Sequence, residues 1–190
     1  MSVNIRHIAA IAAGALLLSA APASLAQSPD KKAHIGILVG GSQAQRGHLE
    51  RALVEGLREQ GYVEGKNLVI ERRYADGSAD KVPEFARELA AMKLDAVVTT
   101  CTPSTRAAKQ ATGSTPIVMA AVADPVGQSL IASLARPGAN ITGLSSQAED
   151  IMPKMLELFA SVLPRPMTVG VLVEARSDVH PRMWQALGPI

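Results

Sequence analysis

The stretch HIGILVGGSQAQRGHLERALVEGLREQG, residues 34–61, contains the change of period on which the fold turns. Its first six residues form a continuous apolar run of strand length, as a strand buried on both faces requires. A flexible, glycine-bearing loop is expected over residues 40–47. From His48 the spacing becomes helical: Leu49, Leu53, Gly56 and Leu57 fall at i, i+4, i+7 and i+8, one stripe of a helix. Gly61 stops that helix, being the residue type that tolerates a left-handed cap.

The same alternation continues down the chain. Residues 68–74, LVIERRY, read as a strand. Val82, Phe85, Leu89 and Met92 mark a helix face, with Asp80 as N-cap and Pro83 in the first turn. Strands are expected over residues 95–100, 116–122 and 141–146, and helices over residues 103–111 and 126–134. Met152, Met155, Leu156, Phe159 and Val162 mark a further helix ended by Pro164, and residues 167–173 a further strand. Strict β-α alternation with apolar strands implies a doubly wound α/β fold, a parallel sheet with helices on both faces.

Composition sets the outer limits. The chain is 47% hydrophobic and 19% charged, ample for a packed core and against disorder. Aromatic residues make up only 3%, so the core is built from Ala, Val, Leu and Ile. A net charge of +2 with interleaved signs lacks the clustered basic face of a nucleic-acid binder. At the amino end, Arg6 and His7 precede an apolar run over residues 8–21, too short for a comfortable membrane span. Pro22 and Ser24-Leu25-Ala26 then place a helix breaker and small residues before Gln27. Residues 1–26 therefore read as a cleaved secretory signal, and residues 27–33 as a polar leader. Periplasmic localisation follows, without stable membrane insertion after cleavage. No cysteine lies near the cut to carry a lipid anchor. Cys101 is the only cysteine, so no internal disulfide supports the fold.

In open parallel sheets ligands bind beyond the carboxyl ends of the strands. The loops to inspect are residues 40–47, 100–104, 123–127 and 145–148. Thr102-Pro103 and Asp124-Pro125 each resemble an N-cap followed by a first-turn proline. Such helix ends offer free N–H groups and a positive dipole to a carboxylate. Cys101 would need a histidine base to act as a nucleophile. His7 is removed with the signal, His34 opens a strand at the opposite edge, and His48 and His180 stand in no recognisable motif. A small, half-buried residue at a strand end accounts for Cys101 better. Asp124 reads as a helix cap more readily than as a general acid or base. Ser145 and Ser146 lack a nucleophile elbow. Gly36, Gly40 and Gly41 lack dinucleotide-fingerprint spacing, and no phosphate loop, metal-ligand set or cofactor motif is present.

Five segments, taken in order, resemble the ABC-transporter substrate-binding proteins related to the tryptophan-binding ones. They are GLREQGYVEGKN (56–67), AAKQAT (107–112), PIVM (116–119), DPVG (124–127) and SLARPGANITGLS (133–145). The resemblance implies a periplasmic binding protein type 1 fold: two α/β lobes around a hinge, closing on a small molecule. It implies an amino-acid-like ligand, often aromatic, and a permease partner in the inner membrane. Carried over by position, the cleft residues are Ser42, Gln43, Thr102, Pro103, Ser104, Asp124, Pro125, Ser145 and Ser146. Cys101 stands where family members commonly carry Ala or Gly, a packing variant.

The resemblance places a first lobe over residues 34–147 and the start of a second over residues 148–190. Near its second-lobe strand the family usually has an Asn-Pro turn; EARSDVHP (174–181) stands here instead. The chain is therefore expected to be truncated in the second lobe, weak in binding, and to expose apolar surface over residues 152–173. Two readings compete with a solute-binding protein. One is an exported hydrolase using Cys101 or Ser145; the other is a sugar-responsive transcription regulator of related fold.

Overall fold

The computed structural model describes residues 32–163, together with Gly170 and Leu172. The signal read over residues 1–26, the strand read over residues 167–173 (those two positions apart) and the segment 174–181 lie outside the described residues. Nine elements follow in order: β1 (Ala33–Val39), α1 (Gln43–Glu59), β2 (Leu68–Tyr74), α2 (Lys81–Ala91), β3 (Ala96–Thr99), α3 (Thr102–Ala111), β4 (Ile117–Val122), β5 (Ile141–Ser145) and α4 (Ala148–Val162). The five strands form one parallel sheet in the order β2-β1-β3-β4-β5.

Side-chain alternation divides the core in two. On one face Leu38, Val97, Ile117, Met119 and Ile141 pack with Val82, Ala86 and Leu89 of α2 and Ala107 and Ala108 of α3. On the other, Ile37, Val39, Leu68, Ile70 and Val98 meet Leu53, Val54 and Leu57 of α1. The fold is thus doubly wound, with helices on both faces. The α1 side is covered less far: Val118, beside Val98 in the sheet, and Leu144 are exposed.

Four local expectations are corrected. The loop read over residues 40–47 is shorter, because α1 starts at Gln43. A capping box starts it: Ser42 Oγ accepts from Gln45 N at 3.3 Å, and Gln45 Oε1 accepts from Ser42 N at 3.4 Å. The N-cap of α3 is Cys101 rather than Thr102, and it makes no side-chain capping bond. Asp80 stands at the N-cap position of α2, but its backbone is already helical and its carboxylate caps nothing. The helix read over residues 126–134 is a single turn. Ser129, at φ 55°, takes the left-handed conformation; Leu130 N donates to Pro125 O at 2.9 Å and Ser129 N to Val126 O at 2.8 Å. That Schellman pair closes the helix just as it begins.

Charge fixes α1 to the outer strand. Arg72 on β2 binds Glu50 on α1 and, at 2.6 and 2.8 Å, Glu64 on the connecting loop; Tyr74 OH donates to the same Glu50. The hydrogen bond from Arg72 holds the Glu64 carboxyl below the ordinary glutamate value of 4.5. The folded state therefore binds that proton less readily than the unfolded chain. Its stabilisation is present above pH 4.5 and is lost as pH falls through the lowered folded value. Glu64→Gln should flatten the fall in urea-unfolding stability over that acid range, and an unchanged slope would count against the pairing.

Gly143 marks the tightest point of the sheet. Its φ is 131°, and a Cβ there would run into the backbone carbonyl of Met119 on β4. Gly143→Ala should cost about 3 kcal/mol or prevent folding. Gly56→Ala, in open space in the last turn of α1, should stabilise by about 0.5–1 kcal/mol. Urea midpoints for the two variants measure both.

Candidate functional site

The strand order reverses direction at β1: the chain passes outward to β2 and then returns to the other side for β3. In such sheets the crevice at the carboxyl ends of the two central strands takes the ligand. Here those ends are the loop 40–42 after β1 and residues 100–101 after β3.

A chain of contacts ties every loop at this edge to the next. Gly77 N donates to Gly40 O at 2.8 Å and Asp76 N to Gly41 O at 3.3 Å, joining the loops after β2 and β1. A Cβ on Gly40 would stand 2.8 Å from Cys101 Sγ, so the loops after β1 and β3 touch. Thr102 Oγ1 donates to Ala123 O at 3.4 Å, reaching the loop after β4. Ser146 N donates to Val122 O at 2.9 Å, reaching the loop after β5. Asp76 and Gly77 were missed by the sequence reading. Their signal was the Asp-Gly pair, a turn dipeptide whose two residues here both have positive φ.

The residues expected at the cleft divide by what their side chains already do. Ser42 is half-buried in its capping box, and Gln43 beside it is exposed. Pro103 is exposed at the start of α3, whereas Thr102 and Ser104 are buried. Ser104 Oγ lies 3.1 Å from Cys101 Sγ, and Thr99 and Thr105 share a buried hydrogen bond of 2.6 Å beneath them. These hydroxyls build the strand-to-helix turn from inside. Asp124 is half-buried and Pro125 buried; Asp124 Oδ1 accepts from Gly127 N at 2.7 Å, the capping role expected of it. Gly127 leaves the room that this carboxylate occupies. Ser145 Oγ accepts from Gln147 N at 3.2 Å, and Ser146 is exposed.

Electrostatics single out one helix end. α1 is capped by its box. α2 carries Glu84 in its first turn, and Asp150 lies in the first turn of α4. α3 has neither a capping side chain nor an acidic residue in its first turn. Its leading N–H groups, on Thr102 and Ser104 since Pro103 has none, keep their positive end toward the crevice.

Cys101 Sγ has Ser104 Oγ as its described polar partner. His34 lies at the amino end of β1, on the far edge of the sheet, and His48 is exposed on α1. Among the described residues no group of His, Cys, Asp and Glu could hold a metal ion, and no helix is long and apolar enough to cross a membrane.

A family profile described as ABC transporter substrate binding protein matches residues 35–184. The chain belongs to that family. A tyrosine-binding protein of Clostridioides difficile is 31% identical over 134 residues, which is 70% of this chain and 38% of that one. The crystal structure of an ABC domain from Streptococcus pneumoniae in complex with L-Trp is 29% identical, with a TM-score of 0.71. That match covers 83% of this chain and 52% of the solved one. A conserved domain protein from Vibrio cholerae is 34% identical, with a TM-score of 0.60, over 71% of this chain and 44% of its own. The chain thus spans about half or less of the length of these relatives. The doubly wound sheet is that of these periplasmic binding protein type 1 structures.

Gly40 and Cys101 supply a direct check on the contact between the two central loops. Gly40→Ala should destabilise by about 1–2 kcal/mol through overpacking against the thiol. Cys101→Ala should relieve most of that loss in the double variant, as a double-mutant cycle of denaturation midpoints reads. Additive losses would mean that the loops do not touch.

Proposed function

We propose that this chain is the solute-recognising part of an ABC importer and that its ligand is amino-acid-like, aromatic ligands included. The carrying observation is the amino end of α3, uncapped and free of acidic side chains, at the crevice where the strand order reverses. A carboxylate there would accept from the Thr102 and Ser104 N–H groups and meet the positive end of the helix dipole. The relatives named for tyrosine and crystallised with L-Trp support an amino acid as the ligand class.

Residues 34–147 would form the first lobe and residues 148–190 the start of a second. The rim side chains toward the ligand would be Ser42, Gln43, Pro103, Asp124, Ser145 and Ser146. Thr102, Ser104 and Pro125 would act through the backbone they hold. Export would use residues 1–26, with cleavage before Gln27, and the working partner would be a permease in the inner membrane. Residues 34–147 on their own would offer the ligand one wall, so the share of the affinity carried by that lobe should be weak.

Titration of the 190-residue chain with L-tryptophan and L-tyrosine, followed by amide NMR, tests the reading. Saturable shifts at Thr102 and Ser104 are expected, with dissociation constants near or above about 1 mM. L-tryptophanamide, which lacks the carboxylate, should bind at least about tenfold more weakly, roughly the worth of one charged hydrogen-bonding contact. No saturable shift with either amino acid sinks the amino-acid reading. Micromolar affinity by calorimetry would overturn the weak, one-walled site.

A further inference from the structure

Arg46 closes the first turn of α1, its N–H donating to Ser42 O at 3.1 Å. Arg46, Glu50, Leu53 and Leu57 fall at i, i+4, i+7 and i+11, the stripe of α1 that faces the sheet. Leu53 and Leu57 pack on the strands, and Glu50 meets Arg72 and Tyr74 on β2. Arg46 stands one turn further on, past the carboxyl ends of the strands. Helical side chains lean toward the amino end, and this one lies back over the crevice loop. A Cβ on Gly41 would stand 3.4 Å from Arg46 Cγ and 3.6 Å from its Nε. Gly40, the residue before, is the one whose Cβ would meet the thiol of Cys101, the N-cap of α3. The Arg46 side chain and the uncapped end of α3 therefore flank the same pair of glycines, whose Cα atoms are about 3.8 Å apart.

Local structure gives that charge nothing to pair with. A cation on the first turn is set against the positive end of the helix dipole, where acids are preferred. The acid at helical spacing from it, Glu50, is taken by Arg72 and Tyr74. Among the described residues no ion pair or side-chain hydrogen bond engages the exposed guanidinium. We propose that Arg46 is the charged partner of the ligand's carboxylate, its guanidinium donating from α1 while the Thr102 and Ser104 N–H groups donate from the end of α3. The inference rests on the amino-acid reading of the crevice and adds a selecting residue to it. A helix end offers N–H groups and a partial charge. A guanidinium adds a full charge and a planar fork that matches both carboxylate oxygens. Ligands with a free carboxylate are thereby selected over amides and esters that carry the same side chain.

Amide NMR titration of the wild-type and Arg46→Gln chains with L-tryptophan and L-tryptophanamide tests it. Glutamine is close to arginine in helix propensity, so the helix is kept. Arg46→Gln should weaken L-tryptophan about fivefold or more, the worth of a partly exposed charge-assisted contact, and leave L-tryptophanamide within about twofold. Arg46→Lys, which keeps the charge and loses the fork, should fall between the wild type and Arg46→Gln. The amide separates recognition from structure, because a general loosening of the rim weakens both ligands alike. Equal losses for the two ligands, or L-tryptophan binding that Arg46→Gln leaves intact, would overturn the role of Arg46 and leave the amino-acid reading standing. Absence of saturable shifts in the wild-type chain would overturn both. Should Arg46→Gln lose the signal dispersion of the folded chain, Arg46→Ala, with the best helix former in that place, decides by the same comparison.

Discussion

Gly40 leaves no room for a β-carbon because the thiol of Cys101 stands where it would go. That close approach sets the geometry of the crevice edge. Parallel strands return through crossovers, so their carboxyl ends reach a common edge as separate loops with no hairpin to join them. Each loop must satisfy its backbone groups against a neighbour or water. Here each meets its neighbour: Gly77 with Gly40, Gly40 with Cys101, Thr102 with Ala123, and Ser146 with Val122. The result is a continuous rim. Its rigidity comes from backbone and buried hydroxyls rather than from groups facing the crevice.

That division explains how much the sequence made legible. β1 and β3 were readable because burial on both faces demands apolar runs, and the edge strand β2 also falls on the residues expected. The turn after β4 was misread for an equally physical reason. Leu130 and Ile131 are buried apolar residues following a capping Asp-Pro pair, which satisfies a helical pattern. Periodicity cannot register that Ser129 enters the left-handed region and ends the helix after one turn. The start of α1 was missed although Ser42 and Gln45 stood at capping-box spacing, because the glycines around them suggested a longer loop. The hydroxyl residues expected at the crevice lie in the loops at the carboxyl edge of the sheet. Their direction was not legible, since burial of Ser104 and Thr102 depends on neighbours distant in sequence.

The segments that mark the family have a related character. In residues 56–67, Gly61 and Gly65 adopt positive φ, and Asn67 bonds to Val63 N at 2.7 Å and Gly61 O at 2.9 Å. In residues 133–145, Asn140 donates to Gly113 O and Thr115 O, and Gly143 permits the close approach of β5 to β4. These residues make connections that few alternatives can make. Their recognisability therefore reports the frame; on the proposed reading the ligand is chosen by fewer and less distinctive positions on the rim.

Among those positions the amino end of α3 is set apart by what it lacks. A Ser, Thr or Asp in place of Cys101 could cap that helix and stabilise the lobe by about 1 kcal/mol. It would also spend the N–H groups internally and bring oxygen, or in Asp a negative charge, to the place where a carboxylate would sit. A thiol packs against Gly40 and Ser104 and competes poorly for those donors, being a weak hydrogen-bonding group. The same residue that closes the space between the two central loops leaves the helix end unsatisfied. On the proposed reading, packing and recognition make the same demand on position 101: a small side chain that fills the turn without capping it.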